Sequence, residues 1–134
     1  MKIISLAWTA GAFAAGRKSV TRRQWVDRYA ALFRAGDICQ AYDKSPRRHG
    51  KRIGYLEIIS VTREMMCQMP DSDYEAEGFA WMEEQGLQFR GVHPRLAFEQ
   101  WRYSGAAEKW WVIRFRKVDG PAEDRSTTRA KTTQ

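Results

Sequence analysis

Gly16-Arg17-Lys18-Ser19-Val20-Thr21-Arg22-Arg23 is the stretch on which the fold of this chain turns. Gly16 follows an alanine-rich run, Trp8 to Ala15, and is suited to end a helical turn because it adopts a left-handed backbone without steric cost. Arg17, Lys18, Arg22 and Arg23 follow it closely. Thr21 and Gln24 form a capping box, and Val20 and Trp25 take the two positions of a hydrophobic staple, so a helix is predicted from Thr21 onward. Trp25, Tyr29, Leu32 and Phe33 recur at helical spacing behind that cap, and Gly36 supplies the stop.

Toward the amino terminus, Ile3, Ile4 and Leu6 read as a short buried strand. Lys2, the apolar run and Ala12-Phe13-Ala14 imitate a secretory leader, but Thr9 and Gly11 interrupt the run, and the segment is read as folded structure. Toward the carboxyl terminus, Asp37 to Tyr42 and Ile53 to Thr62 read as strands. The loop between them, Lys44 to Arg52, is punctuated by Pro46 and Gly50 and carries a second basic cluster of Arg47, Arg48, Lys51 and Arg52. Ser72 with Glu75 opens a capped helix that Gly86 closes, and Pro94 begins another whose Ala97, Trp101, Leu96 and Tyr103 are expected to face inward. Trp110 to Val118 reads as a strand in which Trp111, Ile113 and Phe115 alternate with Val112, Arg114 and Arg116. From Asp119 to Gln134 there is no large apolar residue, and a disordered tail is expected behind one domain spanning residues 1–118.

With 134 residues, 43% of them hydrophobic, the chain can build one ordinary core. Charge is unevenly distributed: Met1 to Arg52 holds twelve Lys and Arg against three acids, and Ile53 to Val118 eight against ten. That asymmetry favours polyanionic partners, because phosphates release counterions when cations neutralise them. No apolar run approaches the ~18 residues of a membrane span, so a soluble, cytoplasmic protein is expected. Cys39 and Cys67 match no metal or redox spacing and read as small buried hydrophobes. His49 and His93 are isolated, and neither a metal nor a cofactor is expected. No phosphate-cradling glycine loop and no Ser-His-Asp order is present.

The basic octapeptide, the later Gly36-Asp37 and the strand around Gly54-Tyr55-Leu56-Glu57-Ile58 together resemble the ASCH domain family, whose signature is Gly-x-Lys-x-x-Glu-x-Arg. The likeness runs from Ile3 to Val118. It implies an α+β fold, a PUA-like small mixed β-barrel with flanking helices, a cleft beside the signature, and a role in binding RNA. Gly16, Lys18 and Arg23 keep the pattern, while Thr21 stands where many members carry Glu. In that substitution the chain is similar to a branch of ASCH proteins that hydrolyse N4-acetylcytidine, where a Lys, a Thr and a helical Glu line the site. Lys18 and Thr21 fall on that branch's Lys-x-x-Thr, and Glu77 is the best match for its Glu, with Glu75 two residues away. Other ASCH proteins are ribonucleases, so the resemblance leaves the reaction open.

Read from the residues alone, Lys18 sits among like charges that, with partial burial, lower its pKa and suit it to act as a base. Thr21 serves equally well as a helix cap, and Lys18 as a phosphate anchor. The expected nucleic-acid contacts are Arg17, Lys18, Arg22, Arg23, Arg47, Arg48, Lys51 and Arg52, with Tyr42 and Trp8 as rings on which bases stack. The expected partner is RNA or another single-stranded nucleic acid, or a modified nucleoside. Lys18, Thr21 and Glu77 are the catalytic candidates if a hydrolase reaction is carried out.

Overall fold

The computed structural model describes residues 1–121. One five-stranded sheet organises them, with strands β1 (Ile3–Ser5), β2 (Val20–Arg23), β3 (Ile38–Tyr42), β4 (Arg52–Met65) and β5 (Lys109–Val118) in the order β1-β3-β4-β5-β2. β1 runs parallel to β3, and the other pairs are antiparallel. β4 is the spine. Its first half pairs with β3, and most of its length pairs with β5, from Tyr55 opposite Val118 to Met65 opposite Lys109. Two irregularities of register, at Ala41/Tyr42 and Ile58/Ser60, bend the sheet around the core.

Short helices cover the sheet: α1 (Ala10–Ala14), α2 (Asp27–Ala30), α3 (Asp73–Ala76), α4 (Phe79–Glu84) and α5 (Pro94–Ser104). Ile4, Phe13, Phe33, Leu56, Ile58, Ile113 and Phe115 fill the core between them and the sheet. A second apolar cluster, built on Met66, Met69, Phe79, Ala97 and Phe98, joins α4 and α5. Among the described residues no helix is long and apolar enough to cross a membrane.

The chain is α+β as expected, but the sheet does not close into a barrel. Its edge strands, β1 and β2, have three and four residues, and no backbone ladder joins them. Arg23 spans the gap instead, donating from Nη2 to the carbonyl oxygen of Ser5. The helix predicted from Thr21 is also corrected. Val20 to Arg23 form β2, with Val20 opposite Arg114 and Thr21 opposite Ile113, and α2 is a single turn beginning at Asp27. Pairing with β5 satisfies the backbone that the capping box would have served, and tertiary contacts override so short a local signal. The helical spacing of Trp25, Tyr29 and Phe33 survives as a ring cluster, with Trp25 stacked on Phe33 at 4.4 Å.

Three smaller expectations change as well. The helix from Ser72 to Gly86 is broken at Gly78, whose φ of +103° only glycine adopts readily, and where a Cβ would lie 2.8 Å from Ala12 Cβ. On α5, Ala97 is buried, but Leu96 and Tyr103 face solvent. Cys39 is buried, and burial pushes its thiol pKa up to about 11, whereas Cys67 is exposed. The expected tail from Asp119 falls, beyond residue 121, outside the described residues; Gly120 itself is buried against the ring of Tyr55.

Candidate functional site

Lys18 stands just ahead of β2 and points inward, with 2% of its side chain exposed. The chain turns there because Gly16 takes φ +76° and the Arg17 N–H donates to the Ala12 carbonyl, the pattern that closes a helix at glycine. Ser19 then docks on both sides, its N–H on the Ala76 carbonyl and its own carbonyl on the Phe115 N–H. The segment is thereby clamped between α3 and β5, and Lys18 is delivered to the end of α3.

Lys18 Nζ donates to the backbone carbonyl of Glu77 at 2.8 Å and to its Oε1 at 3.2 Å. That carbonyl belongs to the residue closing α3, where helix carbonyls lack partners and a cation is favoured. Arg22 bridges two acids, donating from Nη1 to Glu77 Oε2 at 2.9 Å and from Nη2 to Asp73 Oδ2 at 2.6 Å. Arg114, from the outward-facing set of β5, closes on Asp73 with both terminal nitrogens, at 3.1 and 3.0 Å. Asp73, Glu77 and Arg22 are as deeply buried as Lys18. The result is a chain of charges, Lys18–Glu77–Arg22–Asp73–Arg114, enclosed except at the partly exposed Arg114, in which three cations share two carboxylates.

Burial lowers the Lys18 pKa against the pull of Glu77, and neighbouring Arg23 and Arg22 lower it further. Arg114 is held more firmly protonated by its hydrogen bonds to Asp73. Burial of the amine beside a carboxylate thus opposes two effects on its proton, desolvation removing it and Glu77 holding it. The hydroxyl of Thr21 is buried too, but it accepts from Arg23 Nε at 3.2 Å, and among the described residues no hydrogen bond joins it to Lys18. Lys18 and Glu77 are thus brought together, while Thr21 is turned to Arg23. Asp73 and Arg114 had no motif to mark them, although Arg114 lies on the polar side of the alternation read in β5. No group of His, Cys, Asp and Glu among the described residues is arranged to hold a metal ion.

The remaining basic residues divide sharply. Arg17 is committed to Glu75 and Glu84, each accepting two of its hydrogen bonds. Arg47, Arg48, Lys51 and Arg52 are exposed, and among the described residues no carboxylate side chain pairs with any of them. Their loop is nonetheless ordered by its own backbone. Ser45 Oγ accepts from the Arg47 N–H, Asp43 Oδ1 from the Lys51 N–H at 2.7 Å, and the Ser45 carbonyl from both Arg48 and Gly50. His49 completes the turn at φ +63°. Arg52 lies over the ring of Tyr55 at 4.8 Å. Tyr42 is half-buried at the end of β3, and Trp8 is exposed, leaning on Phe89 at 5.4 Å.

A cavity of about 750 Å3 opens on the second apolar cluster, walled by Phe79, Phe89, Trp101 and Trp110, and neither Lys18, Thr21 nor Glu77 lines it.

No family model and no curated protein matches the chain. Among solved structures, protein EF3133 from Enterococcus faecalis V583, described under the family model DUF984, superposes with a TM-score of 0.53 at 18% identity. The match covers 87% of this chain and 73% of that one, and at such identity it is a likeness of fold. An ASCH domain from Lactobacillus crispatus JV V101 matches more loosely, with a TM-score of 0.49 at 14% identity over 87% of this chain and 79% of the other. The likeness to EF3133 is one of architecture alone, and in this chain that architecture is a mixed α+β fold on an open five-stranded sheet.

Proposed function

We propose that the chain is an RNA-binding domain that meets the phosphates of a single strand with the loop between β3 and β4. One observation supports this above others: Arg47, Arg48, Lys51 and Arg52 project from a hydrogen-bonded turn with no acidic partner among the described residues. A cation already paired within the protein gains little from a phosphate, whereas an unpaired one releases the phosphate's counterion at no electrostatic loss. Arg52 adds a guanidinium at the base of the loop, exposed and seated over the buried ring of Tyr55; the guanidinium's outer face can stack on a base.

Fluorescence anisotropy of a labelled single-stranded RNA across a salt series tests the reading. Log affinity should fall linearly with log salt, and replacing Arg47, Arg48, Lys51 and Arg52 by Ala should flatten the slope by roughly 0.7 for each phosphate that is no longer neutralised. Arg17→Ala, which removes a cation held by Glu75 and Glu84, should leave the slope unchanged. A slope unaffected by the fourfold variant would overturn the proposal.

A second reading rests on the buried charge cluster. The lowered pKa of Lys18 beside Glu77 suits a hydrolase in which the amine acts as base and the carboxylate passes the proton to the leaving group. Release of acetate from N4-acetylcytidine, or cleavage of labelled RNA, abolished in Lys18→Met would support it. If the protein changes neither substrate, this reading fails and the binding proposal stands unaffected.

A further inference from the structure

The cavity of about 750 Å3 has a chemistry of its own. It lies at the Met65 end of β4, while the basic loop lies at the Arg52 end, about 40 Å away along the strand at ~3.3 Å per residue. Its volume is that of a small-molecule site. Trp101 and Trp110 meet edge to face at 5.6 Å, and Phe79 lies 6.0 Å from Trp101 and 5.7 Å from Phe89, so one side of the cavity is a packed aromatic wall against which a flat guest can lie.

Two charged residues line the same space, and neither is used elsewhere. Glu108 has no cationic partner among the described residues. It is fixed by neutral donors: Trp110 Nε1 at 3.0 Å and Gln24 Nε2 at 3.1 Å both donate to Oε2. Its backbone is held as well, the N–H on the Gly105 carbonyl and the carbonyl on the Met66 N–H. Among the described residues no donor reaches Oε1, which is left to accept. Arg90 is exposed, stands over the Phe89 ring at 5.7 Å, and is presented at φ +53° by a tight turn in which Phe89 and Val92 exchange backbone hydrogen bonds. Arg90 is thus an exposed cation at the edge of the cavity, carried on a turn whose backbone is held.

An aromatic wall with a preorganised acceptor and a separate cation calls for a flat ring that carries N–H donors on one edge and an anion beyond. A simple organic cation would satisfy Glu108 but be repelled by Arg90, and an apolar guest would leave both unused. Among nucleobases, guanine shows N1–H and N2–H side by side. Adenine and cytosine set their amine beside a ring nitrogen lone pair, and uracil flanks its N–H with two carbonyls, each of which a carboxylate repels. We propose that this cavity binds a guanine nucleotide, with the base against the aromatic wall, its N1–H and N2–H converging on Glu108 Oε1 and its phosphate on Arg90.

Isothermal titration calorimetry of the whole chain with GMP, AMP, UMP and guanosine tests this directly. GMP should bind about tenfold or more tightly than each of the others, the worth of one charge-assisted hydrogen bond. Glu108→Gln should abolish the preference for GMP over AMP, and Arg90→Ala the preference for GMP over guanosine. The fourfold loop variant should bind GMP as the wild type does, so failure here and failure of the RNA proposal are separable. Competition by an RNA containing guanosine, but not by oligouridine, would place the guest within RNA; competition by neither would make it a free nucleotide. Absence of saturable GMP binding, or a Glu108→Gln variant with unchanged selectivity, would overturn the proposal.

Discussion

Two basic clusters that look alike in the sequence have opposite fates in the fold. Arg17, Lys18 and Arg22 are drawn inward or sideways onto Glu75, Glu77, Glu84 and Asp73, acids that lie more than fifty residues away. Arg47, Arg48, Lys51 and Arg52 stay in water with their charge uncompensated among the described residues. Counting cations therefore overstates the surface available to a polyanion. What attracts phosphate is charge whose other partner is solvent, and of the two clusters only the loop meets that condition in full.

The contrast breaks most visibly at Glu77. Glu77→Ala leaves Lys18 and Arg22 enclosed with an acid too few, and uncompensated buried charge costs about 3–5 kcal/mol. Urea denaturation should show that loss at unchanged m, whereas Ala at the exposed loop cations should stay within about 0.5 kcal/mol per site. A Glu77→Ala protein as stable as the wild type would mean that the cluster is relaxed by water and is not an enclosed network.

The second cluster should be sensitive at its scaffold and not at its charges. A Cβ on Gly50 would come 1.8 Å from the Lys44 carbonyl oxygen, so Gly50→Ala forces the turn apart. A loss of about 2 kcal/mol is expected. RNA affinity should fall with it, although no cation is removed, because the turn that presents Arg47 and Arg48 no longer forms. Denaturation and anisotropy on the same variant check both parts.

How much of this was legible beforehand depends on where each signal resides. β3, β4 and β5 were readable because their β-branched and aromatic runs carry the period of a strand, and α5 because Pro94 marks its start. β2 was not, since Val20 to Arg23 become a strand only when β5 lies beside them, and the local capping pattern argued the other way. The break at Gly78 is imposed by the close approach of Ala12, again a fact of packing. The pairing of Lys18 with Glu77, 59 residues apart, has no periodicity to announce it and came only from resemblance. Asp73, Arg114 and Glu108 went unnoticed because an isolated acid or arginine on an amphipathic element reads as surface until its neighbours are known.

The smallest expected effect is the sharpest test of what encloses Lys18. Burial holds its pKa below the ordinary 10.5 of the unfolded chain, despite the opposing pull of Glu77. Between the folded value and 10.5 the unfolded chain keeps the proton and the folded chain has released it. Stability must then rise with pH across that window, by at most about 1.4 kcal/mol per unit for one proton. Below the window the amine is charged in both states and the cost of burying it is present in full. Lys18→Met keeps the length of the side chain without the charge, so the difference in stability between wild type and variant, followed by urea denaturation from neutral to alkaline pH, isolates this group from the other titrating residues. The wild type should gain on the variant as pH rises and stop gaining above 10.5. The opposite slope would mean that Glu77 binds the ammonium more strongly than burial penalises it, making the cluster a structural clasp; the rising slope leaves a neutral amine available as a base, as the hydrolase reading requires.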